Sequence, residues 1–177
     1  MKLCFSESEI TWWAEQYDSS QSELSRNKER SLINLRSHIQ CAGFLTKEQL
    51  SLVAHWKAPR SAGHSKKNSD EYVSEITSWA LSAKDERSKI EVLTLLDGVL
   101  WPSASVILHF FHQEPYPILD FRALQSLGLE EPKKYSFSFW WEYVEFCRAV
   151  AQRNNLEMRT LDRALWKYSK DHPLKTD

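Results

Sequence analysis

Leu96-Asp97-Gly98-Val99-Leu100-Trp101-Pro102, followed after an apolar run by Tyr116-Pro117-Ile118-Leu119-Asp120-Phe121-Arg122, is the stretch on which the fold turns. Asp97 to Trp101 is too short to be more than a turn, and Pro102 suits the first position of a helix, where its missing N–H costs nothing. Two helices joined by a hairpin are therefore expected, one over 84–96 and one from Pro102 to about Phe111 that buries Ala104, Ile107, Leu108 and Phe111. Pro115-Tyr116-Pro117 then forces an extended turn. Asp120 is placed to cap the next helix, which should end at Gly128.

Upstream of the hairpin the pattern is also helical. Ser6 and Ser8 can cap a first helix carrying Ile10, Trp12, Trp13 and Tyr17, and residues 19–22 make a polar break. Leu24, Leu32, Leu35 and Ile39 recur at helical spacing among charges until Gly43, which predicts a long amphipathic helix. Thr46 and a Glu or Gln of the following Lys-Glu-Gln-Leu stand at the spacing of a capping box for a helix through Leu50, Leu52, Val53 and Trp56 that Pro59 ends. Residues 57–69 hold Lys57, Arg60, Lys66 and Lys67 and no acid, a loop composition bounded by Asn68 and Ser69 as capping residues. A helix carrying Tyr72, Val73, Ile76, Trp79 and Ala80 follows. Downstream, the aromatic run from Tyr135 to Tyr143 leads into a helix ending near Arg153, and a last helix carries Leu161, Leu165 and Trp166. The expectation is an all-α protein of about eight helices.

Composition agrees. The chain has 177 residues, 42% of them hydrophobic, enough for one core or two small lobes, and only 4 glycines and 6 prolines, too few for a turn-rich β architecture. Its net charge of −1 lacks the broadly basic footprint of many nucleic-acid binders, so any contact with DNA must rest on a local patch. Cys4, Cys41 and Cys147 lie far apart without a Cys-x-x-Cys pair, which fits neither a zinc site nor a cysteine-held cluster. His109 and His112 stand three apart on an apolar helix without carboxylate partners nearby in sequence, so no metal and no cofactor are expected. No segment approaches the roughly 18 apolar residues of a membrane span, and the N-terminus turns acidic before any apolar stretch long enough for a signal peptide. A reducing, cytoplasmic location is expected.

Leu96-Asp97-Gly98-Val99, then Ala104, then an apolar helix, then Tyr116-Pro117-Ile118-Leu119-Asp120 resembles the helix-hairpin-helix, Gly/Pro-loop, Asp superfamily of base-excision DNA glycosylases, which includes endonuclease III. The resemblance covers about residues 91–127. It implies a two-lobed helical fold: residues 21–117 would form one lobe containing the hairpin, residues 1–20 plus 118–177 the other, with Asp120 at the cleft. It implies DNA as partner and hydrolysis of the N-glycosidic bond of a damaged or modified base as activity.

Two positions depart from the family pattern. Members that also cut the backbone carry a lysine nucleophile where this chain has Pro102, so the resemblance implies a monofunctional enzyme without lyase activity. Leu100 stands where the family has the second glycine of Gly-Val-Gly. Leu100, Pro102 and the near-neutral charge also fit an alternative, a non-catalytic module on the same scaffold that binds DNA or a protein.

The chemistry expected of these residues is simple. Backbone N–H groups of Gly98, Val99, Leu100 and Trp101, at the start of a helix, can hold a phosphate oxygen, with the helix dipole adding attraction. Such contacts fix the register of a duplex, so that a base can swing out into a pocket. The Asp120 carboxylate would stabilise positive charge on the sugar or activate water, although aspartate is equally a good N-cap there. Arg122 can pair with Asp120, reach a phosphate, or lie solvated. Lys57, Arg60, Lys66 and Lys67 make either the local positive patch or an exposed mobile loop. Trp101, and less so Trp56, could stack on a base, and Tyr116 could border the same pocket or serve as packing.

Overall fold

Short polar side chains at the helix starts set the element order. In a computed structural model describing residues 1–173, α1 is Ile10–Ser20, α2 Glu23–Ala42, α3 Lys47–Lys57, α4 Asp70–Ser82, α5 Glu86–Glu91, α6 Trp101–Phe111, α7 Phe121–Gln125, α8 Phe137–Arg153 and α9 Met158–Asp171. No strand occurs among the described residues, and the chain is all-α. Ser22, Ser69, Asp85, Asp120 and Ser136 each accept a first-turn backbone N–H with the side chain. Those donors have no partner inside the helix, which is why each cap favours a start at that residue. Thr46 and Gln49 form the reciprocal box, with Thr46 N–H donating to Gln49 Oε1 at 2.8 Å and Gln49 N–H to Thr46 Oγ1 at 3.3 Å. Gly43 stops α2 at φ +79°, a left-handed conformation that suits glycine.

The described residues divide into two compact units, one comprising Met1–Gln21 and residues 116–173, the other Ser22–Pro115. In the second, α2, α3 and α5 pack on α6, every residue of which from Ser103 to Phe111 is buried. Each Ile, Leu or Phe removed from water there stabilises by about 1.5–3 kcal/mol. The buried Ser105 is satisfied by donating to the Pro102 carbonyl at 2.8 Å. Buried Thr77 ties the start of α3 to α4: its hydroxyl accepts from Leu45 N–H at 2.9 Å and donates to Val73 C=O at 2.7 Å.

In the first unit α1, α7 and α8 pack on α9. The N-terminal segment is held to the C-terminal part by edge-to-face rings, Trp13 on Tyr168 at 5.2 Å and Tyr17 on Trp166 at 5.4 Å. Cys4 adds a backbone bond to Ser126 C=O at 2.9 Å, and Tyr168 Oη donates to Cys4 C=O at 3.0 Å. The Arg153 guanidinium and the Asn154 amide both grip the Glu7 carboxylate.

Three local expectations are corrected. The helix over 84–96 stops at Glu91 and continues as a 3₁₀ turn, Val92–Leu95, in which Thr94 Oγ1 donates to Glu91 C=O at 2.7 Å. Pro102 is the second residue of α6 and Trp101 the first, with Leu100 as N-cap; either first-turn place lacks an N–H partner, so proline is tolerated in both. The helix after Asp120 ends at Gln125, before Gly128: Gly128 lies at φ +69° and Leu129 N–H donates back to Leu124 C=O at 3.0 Å. No helix among the described residues is long and apolar enough to cross a membrane.

Candidate nucleic-acid interface and carboxylate

Val99 N–H donates to Leu96 C=O at 3.0 Å, closing a four-residue turn with Gly98 in third place at φ +79°. A positive φ at that place marks the turn types that favour glycine there. Glycine is favoured there a second time, because a Cβ would lie 2.9 Å from His64 Cβ and 3.0 Å from Ser65 N. Val99 points inward and is buried, whereas Leu100 is 72% exposed. Leu100 starts α6 without a side-chain cap, its C=O accepting from Ala104 N–H at 2.8 Å. Trp101, half-buried, follows.

Within the basic segment, Ala62–Lys67 is a 3₁₀ helix that carries Lys66 and Lys67. Ala62 and Ser65 are buried, and Ser65 Oγ donates to Ala62 C=O at 2.7 Å. Asn68, 4% exposed, joins this helix to the hairpin. Its Nδ2 donates to Ser65 C=O at 2.9 Å and to Asp97 C=O at 3.0 Å, while its Oδ1 accepts from Asp97 N–H at 2.9 Å. Gly98 to Trp101 and the exposed side chains of Lys66 and Lys67 thus belong to one body. Arg60 is exposed just before it, and Lys57 is half-buried at the last residue of α3. Trp56 packs edge-on against Phe110 at 5.4 Å.

Asp120 lies in the other unit, half-buried. Its Oδ1 accepts from Arg122 N–H at 2.9 Å and its C=O from Leu124 N–H at 3.0 Å, so it does cap α7. The Arg122 guanidinium lies over the Phe121 ring at 5.0 Å and the Trp166 ring at 5.5 Å. Tyr116 is fully buried, near-parallel to Trp140 at 5.8 Å and covered by the Arg148 guanidinium at 4.5 Å. Its ring is core rather than pocket wall. Tyr135, which sequence reasoning missed, stands close enough to feel Asp120. Burial holds its phenol well above the usual range, with help from its hydrogen bond to Glu131 and from the Glu131 and Asp120 charges.

Asn68 was legible only as a cap beside Ser69, because its partner at Asp97 is 29 residues away and no local period encodes that contact. His109 meets Phe110 edge-on at 4.9 Å, and His112 Nδ1 accepts from Glu114 N–H at 3.0 Å. No group of three or more His, Cys, Asp or Glu among the described residues could hold a metal ion. Comparison with family models, curated proteins and solved structures gives no match to this chain.

Proposed function

We propose that the chain is a helix-hairpin-helix protein of the DNA-glycosylase type, hydrolysing the N-glycosidic bond of a damaged or modified base without strand cleavage. The observation that carries the reading is the Asn68 bracket. It joins a glycine turn at the start of a helix to a short helix bearing Lys66 and Lys67. Val99 N–H is taken by Leu96 C=O, which leaves the Gly98, Leu100 and Trp101 backbone as the part of the hairpin assigned to a phosphate; together with flexible ammonium groups on the same unit it is a means of holding consecutive phosphates whatever the sequence. Asp120, at the end of the Pro-Tyr-Pro loop, is the carboxylate assigned to stabilise the sugar cation or activate water. Pro102 stands where a lyase would need an amine, so abasic sites are left intact. Three free cysteines, Cys4, Cys41 and Cys147, suit a reducing cytoplasm.

The test has two arms. Duplex binding must weaken as salt rises. Wild type must release a base from at least one duplex in a panel carrying uracil, hypoxanthine, oxidised guanine or alkylated purines, and Asp120→Asn must not. Leu100 favours a second reading: an exposed apolar side chain in the hairpin fits a module that binds without cutting. Salt-sensitive binding with no base release from any duplex would select it.

A further inference from the structure

We propose that Asp162 and Tyr143 clamp the backbone of Ile118 from both sides and so set the position of Asp120, two residues further along; the proposal rests on the reading of Asp120 as the hydrolytic carboxylate. Asp162, on α9, accepts Ile118 N–H on Oδ1 at 3.0 Å. Tyr143, on α8, donates its hydroxyl to Ile118 C=O at 3.0 Å. Asp162 is 4% exposed and Tyr143 is fully buried.

The chain chemistry explains why two side chains are needed. Tyr116 to Leu119 is buried yet neither helix nor strand, and Pro117 brings no N–H of its own. A buried backbone group without a partner costs about 1–3 kcal/mol, so Ile118 needs a donor and an acceptor from elsewhere. A neutral side chain could accept the N–H, and a buried carboxylate is an expensive choice. What an ionised carboxylate adds is charge assistance to that bond, whose 3.0 Å is an ordinary N–H···O length. Tyr143 is kept a donor: burial first, then the neighbouring Cys147 and Asp162, push its phenol well above the usual range.

The link from clamp to carboxylate is short. Two residues span at most about 7 Å, and Asp120 is itself extended at φ −144° and ψ 139°. A shift at Ile118 therefore passes to Asp120 with little slack, and a misplacement near 1 Å costs on the order of a hundredfold in rate.

The test uses the full chain with Asp162→Leu, Asp162→Asn, Tyr143→Phe and Asp120→Asn. Single-turnover base release, duplex affinity and amide exchange at Arg122, whose N–H reports the Asp120 cap, are read below the melting temperature of each variant. Asp162→Leu and Tyr143→Phe should each slow release on the order of a hundredfold, with duplex affinity changed by less than about twofold. Asp162→Asn, which keeps an acceptor oxygen, should recover to within about tenfold of wild type. Release at the wild-type rate in both Asp162→Leu and Tyr143→Phe overturns the clamp, as does an equal loss of rate and affinity. If Asp162→Leu does not fold, Tyr143→Phe decides. If wild type releases no base, the hydrolytic role of Asp120 falls and exchange decides the clamp. Arg122 should then exchange at least about tenfold faster in the Asp162→Leu or Tyr143→Phe protein, and unchanged exchange overturns it.

Discussion

Asn68 holds Asp97 by both backbone groups, accepting its N–H at 2.9 Å and donating to its C=O at 3.0 Å. A carboxamide is the side chain that can do both at once, because it carries a donor and an acceptor on one plane. Asn68→Leu removes the side-chain partners of Asp97 N–H and C=O, while Ser65 C=O keeps the backbone N–H of residue 68 at 3.4 Å. It should cost about 1–3 kcal/mol in chemical denaturation and weaken duplex binding beyond what unfolding explains. Asn68→Asp should do no better, since its carboxylate cannot donate to either carbonyl. Unchanged stability and affinity in both variants would mean that the bracket organises nothing.

Gly98→Ala adds a Cβ where His64 Cβ is 2.9 Å away and φ is +79°. Both faults act together, and a loss of about 1–3 kcal/mol in thermal or chemical unfolding is expected, with looser duplex binding. Gly63→Ala is the control, because its added Cβ meets nothing within 4 Å. Equal behaviour of the two variants would contradict the described hairpin.

Leu100→Gly restores the glycine that the resemblance expects at the hairpin and removes a side chain that is 72% exposed. Glycine is the better N-cap of the two, so stability should hold within about 0.5 kcal/mol. Duplex affinity at low salt should rise. A fall in affinity would instead assign the Leu100 side chain a contact with DNA, of the kind apolar wedges make with base steps.

Glu7 is held down to about 2 from an ordinary value of 4.5, first by the side-chain hydrogen bond from Arg153 and then by that from Asn154. A depressed carboxylate contributes its stability above the ordinary value and loses it as pH falls through the window from 4.5 towards about 2. Glu7→Gln should therefore be less stable than wild type near neutrality, and the gap should close across that acid window. The pair is partly exposed, so salt should shrink the gap. A gap that stays constant from neutrality to low pH would remove the pair from the account of how the N-terminal segment is held.

Most of the helix starts could be read from local chemistry: Thr46 with Gln49, Ser69 and Asp120 cap within three residues of themselves, and Gly43 ends α2 beside its own last turn. What could not be read is any bond that returns across the fold. Asn68 to Asp97, and Ile118 to Asp162 and Tyr143, join residues 25 to 44 positions apart with no periodicity to announce them. Tyr116 left two readings open in the sequence, pocket border or packing, and it is fully buried between the Trp140 ring and the Arg148 guanidinium. The 3₁₀ segment Val92–Leu95 was lost to helix periodicity because Leu93 and Leu96 are buried in either geometry.

The most direct measurement is base release by wild type and Asp120→Asn from the lesion-bearing duplexes, followed by alkaline scission to reveal abasic sites. The account predicts that wild type yields strand breaks only after alkali, that Asp120→Asn yields none, and that both bind the duplex with the same salt dependence. Breaks formed without alkali would contradict the absence of lyase chemistry, and equal release by the two proteins would contradict Asp120 as the hydrolytic carboxylate.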